Sequence, residues 1–174
     1  DVPLKGLIFL IRAYADLLEE FPDLELLVIG RLREGPTDQE LKKEGIKEKV
    51  KFISDLTGRQ IAELYAESTI AVSPSVYEGF GFPAGEAMSC GIPLISTNGG
   101  SLPEVVGDAA IVVPHSNPKA LKDAIKLLLK SPEKRLDLGN KGRKRVLEKF
   151  TWKRAAKELV EVYREAIENA NNRS

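Results

Sequence analysis

The first third of the chain shows two hydrophobic patterns in succession. Between residues 4 and 18, apolar residues recur at intervals of three and four, which predicts an amphipathic helix. This pattern stops at Phe21-Pro22, because proline disfavours the helical conformation of the residue before it. Residues 24–30, LELLVIG, then form a short continuous apolar run that ends in glycine, which is typical of a strand buried on both faces. The pattern therefore predicts a helix followed by a buried strand.

The same alternation continues along the rest of the chain. Further strands are predicted at 50–53, 69–73, 93–97 and 109–113. Further helices are predicted at 37–45, 59–67, 83–89, 102–106, 118–130, 132–149 and 152–170. Thr37 and Glu40 have the spacing of a capping box, so we expect Thr37 to be the N-cap of its helix. Strands separated by helices favour parallel pairing through crossovers. We therefore predict an α/β fold, a three-layer α/β/α Rossmann-like, doubly wound parallel sheet of about five strands.

Composition and charge narrow the classes of function without selecting one. The chain has 174 residues, with 26 Lys+Arg and 26 Asp+Glu, so its formal net charge is zero. A general nucleic-acid binder needs a basic surplus, so we expect no nucleic-acid partner. The single cysteine, Cys90, excludes an internal disulfide and a multi-cysteine metal site, and the single histidine, His115, excludes a histidine-rich one. No apolar run approaches the roughly 20 residues of a membrane span.

The loop after the third predicted strand carries the richest candidate chemistry. Gly79 and Gly81 flank Phe80, and glycine lets a ligand approach the backbone closely. The helix that follows directs its first N–H groups and the positive end of its dipole outward, which favours an anion such as phosphate. Glu78 and Glu86 flank the turn, and a carboxylate can accept hydrogen bonds from two neighbouring hydroxyls of a sugar. A glycine turn before a helix is often only a tight turn, so this motif alone leaves both interpretations open.

The surrounding stretch resembles a known family. Residues 75–106, SVYEGFGFPAGEAMSCGIPLISTNGGSLPEVV, resemble the donor-site region of glycosyltransferase family 4, whose motif is a glutamate, seven residues and a second glutamate. The wider pattern also includes Lys5-Gly6, LLVIG, VKFIS, Gly99-Gly100 with Pro103-Glu104, and Phe150-Thr151-Trp152. The resemblance implies a retaining enzyme of the GT-B architecture, which has two Rossmann domains. This chain would be the C-terminal, donor-binding domain.

The resemblance also implies roles for individual residues. Glu86 would hold the ribose hydroxyls, Glu78 would contact the transferred sugar, and Lys5 would bind the diphosphate. Glu78 and Lys5 are therefore the expected catalytic residues. The other expected donor-binding residues are Gly79, Phe80, Gly81, Phe82, Gly30 and Ile53. The charge of the lysine would offset the leaving diphosphate in place of a metal ion. We expect no metal site and no cofactor, only a nucleoside diphosphate sugar as donor, of the UDP or GDP type.

The resemblance further implies parts that lie outside this chain. An arginine that pairs with the lysine would precede Asp1, as would the first strand of the domain and the N-terminal acceptor-binding domain. We therefore expect residues 1–150 to form a nucleotide-sugar-binding domain without its first strand. Residues 151–174 would form a C-terminal helix that packs back on this domain, anchored by Trp152. The expected location is the cytoplasm. A peripheral position at the inner membrane surface, with the missing domain making the membrane contact, is the alternative.

The predicted function is transfer of a hexosyl unit, of glucosyl or mannosyl type, to the hydroxyl of an unidentified glycan or lipid acceptor. We expect this chain by itself to transfer nothing. One alternative is a fragment of a glycogen-synthase-like or sucrose-phosphate-synthase-like enzyme, and another is a non-catalytic nucleotide-sugar-binding module. A Rossmann dehydrogenase is disfavoured, because no Gly-x-Gly-x-x-Gly opens a strand–helix unit. Two smaller questions remain open: whether Arg31 reaches the phosphates, and whether residues 98–101 contact the donor.

Overall fold

The computed structural model describes residues 3–171. The strands are β1 (Leu26–Ile29), β2 (Val50–Ile53), β3 (Ala71–Ser73), β4 (Leu94–Thr97) and β5 (Ile111–Val113). The helices are α1 (Leu7–Leu18), α2 (Pro36–Lys43), α3 (Gly58–Glu67), α4 (Phe82–Ser89), α5 (Leu102–Val106), α6 (Pro118–Lys130), α7 (Pro132–Lys149) and α8 (Trp152–Asn171). Short 3₁₀ turns lie at Pro3–Lys5 and Lys47–Lys49. Strands and helices alternate as far as β5, as the hydrophobic pattern predicts.

The strands pair only in parallel, but they form two sheets rather than one. β1 pairs with β2, with Val28 opposite Phe52. β4 lies between β3 and β5, with Ile95 opposite both Val72 and Ile111. Among the described residues no ladder joins β1 to β3, because a cavity of about 1200 Å³ lies between them, which we call the inter-sheet cavity. The α/β class is confirmed, and the prediction of one continuous five-stranded sheet is wrong for this chain.

Helices cover both faces of the three-stranded sheet. Successive side chains of a strand point to opposite faces. Leu94 accordingly packs in a core with α4 and α5, whereas Ile95 packs in another core with α1 and α6. A third core lies between α1, α2 and β2, where the Tyr14 hydroxyl donates to the carbonyl oxygens of Leu24 and Lys49 at 2.7 and 3.1 Å. The three-layer arrangement is therefore the predicted one, and the carboxyl ends of parallel strands share one edge in each sheet.

The predicted capping box of the second helix is wrong. Gly35 is the N-cap of α2 and Pro36 occupies the first turn, so Thr37 lies one position inside the helix, where it is buried. Glu40 does not turn back to the helix start, because its carboxylate accepts a 2.8 Å hydrogen bond from Arg12 of α1. Proline, with its fixed φ and missing N–H, is suited to this first position. A capping box forms instead on α3, with Thr57 as the N-cap.

The C-terminal helix also differs from the expectation. Trp152 is 88% exposed, and α8 contributes no buried residue, so neither Trp152 nor the described part of 151–174 packs back on the domain as expected. The expected tail also includes residues 172–174, which lie outside the described residues. Phe150, between α7 and α8, does contact the domain, because its ring lies edge-on to Phe80 in the loop before α4. Within residues 3–171 no helix combines the length and apolarity that crossing a membrane requires.

Candidate functional site

The loop between β3 and α4 presents a row of backbone N–H groups. Gly81 is the N-cap of α4 and has φ of 92°, in the left-handed region that favours glycine. A Cβ at this position would lie 2.5 Å from the Leu102 side chain. Within residues 3–171, no oxygen accepts a hydrogen bond from the amides of Gly79, Phe80, Gly81 and Phe82. These amides, together with the positive end of α4, form the phosphate-compatible turn that the sequence predicts.

Glu78 lies at the start of this row and is paired with Lys5. The Lys5 ammonium lies 2.6 Å from Glu78 Oε1, and the Ser75 hydroxyl donates to the same oxygen at 2.8 Å. The Glu78 side chain is only 12% exposed, whereas that of Lys5 is 52% exposed. The two residues expected to be catalytic, 73 positions apart in sequence, are therefore in direct contact. A buried carboxylate requires such partners.

The start of α1 brings Lys5 to this position. The Leu4 carbonyl accepts a 2.8 Å hydrogen bond from the Val76 amide, which ties the 3₁₀ turn before α1 to the loop after β3. Gly6 has φ of 65°, and a Cβ there would overlap the Pro74 carbonyl oxygen. Only glycine allows so close an approach in this conformation. The backbone contacts of Leu4 and Gly6 therefore position Lys5 beside Glu78.

Residues 98–101 support the Glu78 loop from the other side. The Ser101 amide and hydroxyl both donate to the Glu78 carbonyl oxygen, at 3.0 and 3.1 Å. Gly100 has φ of 62°, and a Cβ there would overlap the same carbonyl. The Thr97 hydroxyl donates to the Ser75 carbonyl oxygen. Residues 98–101 therefore support the backbone of the Glu78 loop. The sequence analysis did not predict this role, although the Gly99-Gly100 pair indicates a close backbone approach.

Three phenylalanines connect the loop with the end of α7. The Phe80 and Phe82 rings are 4.9 Å apart, and Phe80 lies edge-on to Phe150 at 5.7 Å. Arg145 of α7 lies over the Phe150 ring and donates to the carbonyl oxygens of Glu104 and Val105 of α5. Aromatic pairs of this geometry are favourable. The exposed apolar residues of the loop are thus partly covered by the end of α7.

Glu86 lies in a separate place. It lines a small pocket of about 150 Å³ between α3 and α4, together with Tyr65, Ser89 and Cys90. Burial, and then the negative charge of nearby Glu86, raise the pKa of Tyr65 to about 12. The Tyr65 hydroxyl donates to the Pro83 carbonyl oxygen at 3.3 Å. Glu86 is therefore not part of the cavity lining that Glu78 and Lys5 share, although it borders the same helix start.

Gly30 and Ile53 lie at the carboxyl ends of β1 and β2. The Gly30 amide donates to the Ile53 carbonyl oxygen at 2.7 Å, and both residues line the inter-sheet cavity with Lys5 and Glu78. Arg31 pairs at 2.6 Å with Asp55, whose pKa the guanidinium lowers. Arg31 therefore has a carboxylate partner of its own in this structure. No group of three or more His, Cys, Asp or Glu side chains within residues 3–171 is arranged to hold a metal ion.

Comparison with known proteins identifies the family of the chain. The family model for glycosyl transferases group 1 matches residues 2–145, and the chain belongs to this family. The MMP alpha-(1->4)-mannosyltransferase of Mycolicibacterium hassiacum is 40% identical over 171 residues, which cover 96% of this chain. That match spans only 41% of the mannosyltransferase, so the chain has less than half the length of this relative.

Solved structures place the chain within the architecture of the family. The C-terminal domain of a glycosyl transferase group 1 family protein, LpcC, from Francisella tularensis aligns with a TM-score of 0.76 and 26% identity, over 87% of this chain and 83% of that domain. Anabaena HepE in complex with UDP-glucose aligns with a TM-score of 0.83 and 21% identity, over 95% of this chain and 46% of HepE. The chain thus has the fold of a GT-B C-terminal domain.

Proposed function

We propose that this chain is the donor-binding domain of a retaining hexosyltransferase of glycosyltransferase family 4. The whole enzyme would transfer a glucosyl or mannosyl unit from a nucleoside diphosphate sugar to an acceptor hydroxyl. The observation that carries the proposal is the Lys5–Glu78 contact of 2.6 Å beside the unpaired amides of residues 79–82. Membership of glycosyl transferases group 1 supports a transferase.

The diphosphate would lie at the start of α4. The amides of residues 79–82 would donate to its oxygens, and the helix dipole would add to their positive potential. The Lys5 ammonium would leave Glu78 in part to meet the phosphate, because phosphate carries more charge than one carboxylate. As the bond between the sugar and the diphosphate breaks, this fixed positive charge would stabilise the leaving group. No metal ion is needed in this proposal, and no cofactor other than the donor sugar.

The transferred sugar would lie next to Glu78. Oε1 of Glu78 is occupied by Lys5 and Ser75, so its other carboxylate oxygen is the one available to accept from sugar hydroxyls. The acceptor hydroxyl would attack on the face from which the diphosphate leaves, and its proton would pass to the leaving phosphate, which retains the anomeric configuration. Glu86 would hold the ribose hydroxyls, and Gly30 and Ile53 would add donor contacts from the ends of β1 and β2.

The acceptor would be bound by an N-terminal domain of the longer enzyme, which we propose to be cytoplasmic. This chain covers 41% of its mannosyltransferase relative, which leaves room for such a domain in a protein of that length. The structural neighbour HepE binds UDP-glucose, which makes a UDP-sugar the first donor to test. The chain alone is expected to bind donor and to transfer nothing. Glycogen-synthase-like and sucrose-phosphate-synthase-like enzymes remain alternatives, since they would differ in the acceptor.

The test is a thermal-shift and calorimetry panel of UDP-, GDP- and ADP-sugars with this chain. A ligand at 100 times its dissociation constant should stabilise the fold by about 2.7 kcal/mol. Lys5→Ala should weaken binding of the best ligand at least tenfold, whereas Lys141→Ala, which removes another exposed lysine with a carboxylate partner, should not. Equal affinity of the Lys5→Ala variant and the wild type would contradict the proposed phosphate site.

The alternative of a non-catalytic module makes a different prediction at Glu86. If Glu86 holds the ribose, Glu86→Ala should cost about 1–3 kcal/mol of binding free energy. An unchanged affinity would favour a binding mode that does not use the second glutamate. Transfer by the full-length enzyme, measured with the donor chosen by the panel and lost in Glu78→Gln, would separate the transferase from the module.

A further inference from the structure

The turn before α4 has little side-chain anchorage of its own. Its residues, 79–81, which we call the glycine turn, are two glycines with Phe80 between them. Glycine has the widest backbone freedom of any residue, so its conformation has to be held by its surroundings. The Ser101 amide and hydroxyl hold the Glu78 carbonyl oxygen before the turn, and α4 begins directly after it. Within the turn, Phe80 is therefore the side chain through which the rest of the fold can hold it.

The Phe80 ring contacts two other phenylalanines. Phe82 lies 4.9 Å away, but its own side chain is 68% exposed, so it gives Phe80 little support. Phe150 lies edge-on to Phe80, with 5.7 Å between the ring centroids and 85° between the ring planes. Edge-to-face pairs at this distance are favourable beyond the area that they bury. Phe150 thus joins the glycine turn to a different part of the fold, the end of α7.

α7 runs antiparallel along α4, and glycines let the two helices approach closely. Next to the end of α4, a Cβ on Gly139 would overlap the Gly91 carbonyl oxygen. Further along α7 and further back along α4, a Cβ on Gly142 would lie 3.2 Å from the Met88 side chain. Larger residues at these positions of α7 would push the helices apart, so the close contacts fix how α7 lies on α4.

This packing brings the end of α7 to the glycine turn. At about 1.5 Å per residue, each helix rises by roughly 10 Å from the Gly142–Met88 contact to the end of α7 or back to the start of α4. The end of one helix therefore lies beside the start of the other, which is where Phe150 meets Phe80. The position of Phe150 follows from the packing of the two helices and does not depend on its contact with Phe80.

Arg145 holds the Phe150 ring. Its guanidinium carbon lies 6.0 Å from the ring centroid, within reach of a cation–π attraction. Its Nε and Nη2 donate to the carbonyl oxygens of Val105 and Glu104, at 2.8 and 2.7 Å. A Cβ on Gly107 would lie 2.6 Å from the guanidinium carbon, so glycine leaves the room that this arrangement needs. One guanidinium and two aromatic rings thus join α5 to the glycine turn.

We propose that Phe150 is a positioning residue for the glycine turn, which acts through the Phe80 ring and is itself held by Arg145. By holding Phe80 it keeps the amides of residues 79–82 in the arrangement that receives one anion at the start of α4. Phe150 itself does not contact the donor in this proposal. Its ordering of the turn rests on the contacts described above, whereas its effect on the diphosphate rests on the proposed function.

The first measurement needs no ligand. Backbone ¹⁵N relaxation gives order parameters, which are about 0.85 for rigid backbone and below about 0.6 for flexible backbone. The Gly79 and Gly81 amides should have the values of rigid backbone, and Phe150→Leu should lower both towards about 0.6. Phe150→Tyr keeps the ring and should retain the wild-type values. Trp152→Leu is the matched control, because it removes a neighbouring aromatic side chain that is 88% exposed.

The second measurement is the affinity for UDP by calorimetry. Phe150→Leu should weaken binding about three- to tenfold, the range that one aromatic pair can contribute. Phe150→Tyr and Trp152→Leu should leave the affinity unchanged. Phe80→Leu should act through the same contact, so the double variant with Phe150→Leu should bind about as well as the weaker single variant. Melting temperatures check that each variant is folded, since the contacts of Gly139 and Gly142 with α4 are left intact.

The two measurements separate the possible outcomes. Unchanged order parameters in Phe150→Leu would overturn the proposal whatever the nucleotide result. A fall in order with unchanged UDP affinity would overturn the link to the diphosphate. Equal losses in Trp152→Leu, or additive losses in the double variant, would show general loosening of the α7–α8 junction and would also overturn it. A fall in order in Phe150→Leu alone, in a chain that binds no nucleoside diphosphate, would support the positioning role and contradict the proposed function.

Discussion

The two sheets are built of similar apolar runs but lie in different surroundings. All residues of β4 are buried, with Leu94 only 1% exposed. In β1 the first three residues are half-buried, and Ile29 is 42% exposed. β4 has a strand on each side, whereas β1 has a strand on one side and the inter-sheet cavity on the other. Burial of a strand is therefore decided by its neighbours more than by its own composition.

The largest expected effect tests this contrast with a pair of leucines. Leu94→Ala should destabilise the fold by about 2–5 kcal/mol, because it leaves a cavity in a closed core. Leu27→Ala should cost much less, about 1 kcal/mol, because its side chain already borders an open cavity. Urea unfolding followed by circular dichroism gives both values. Equal losses of stability would mean that Leu27 is packed as tightly as Leu94, which would contradict the contrast between β1 and β4.

The next effect concerns how residues 98–101, which follow β4, hold the loop between β3 and α4. In Gly100→Ala the new Cβ would overlap the Glu78 carbonyl oxygen at a positive φ, so we expect a loss of about 1–3 kcal/mol in stability. Gly85→Ala is the matched control, because no atom lies within 4 Å of a Cβ there and Gly85 is inside α4. That change should be neutral or stabilise by up to about 1 kcal/mol.

The two glycine variants should also differ in donor binding. Displacement of the Glu78 carbonyl in Gly100→Ala would move the carboxylate and the adjacent amides, so nucleoside diphosphate sugar affinity should fall together with stability. Gly85→Ala should leave that affinity unchanged. If Gly100→Ala matched Gly85→Ala in both stability and donor affinity, residues 98–101 would not support the loop.

Local sequence signals predicted the strands, the helices and the glycine turn before α4 well. Apolar runs marked all five strands, and the Gly-x-Gly turn before Pro83 marked an open helix start. The contact of Lys5 with Glu78 was not visible in the pattern itself, because it depends on Gly6 fitting against Pro74 from a distant part of the chain. The expected packing of Trp152 failed for a related reason. An aromatic residue at the start of a helix is buried only where another part of the protein packs against it.

The errors at α2 show what local patterns miss. Thr37 and Glu40 have the spacing of a capping box, but Pro36 already starts the helix and Arg12 binds the glutamate. A tertiary ion pair thus overrides a local signal. This ion pair stabilises the more open half of the molecule, where α1 and α2 pack beside β1 and β2.

The smallest predicted effect is the pH dependence of this ion pair. Hydrogen bonding from Arg12 lowers the pKa of Glu40 from 4.5 to about 2. A carboxylate with a lowered pKa in the folded state stabilises the fold above its unfolded pKa, and this contribution is lost as the pH falls through the folded value. Glu40→Gln should therefore be less stable than the wild type at pH 7, by about 1–2 kcal/mol, since Arg12 is partly exposed.

The difference between Glu40→Gln and the wild type should shrink as the pH falls from about 5 towards 2, because Glu40 binds a proton first in the unfolded state and only near pH 2 in the folded state. The matched control is Glu63→Gln, which removes the exposed partner of Arg59 and should change stability by less than about 0.5 kcal/mol at any pH. Urea unfolding across this pH range measures both. A difference that stayed constant down to pH 2 would assign the effect to packing of residue 40 rather than to its charge.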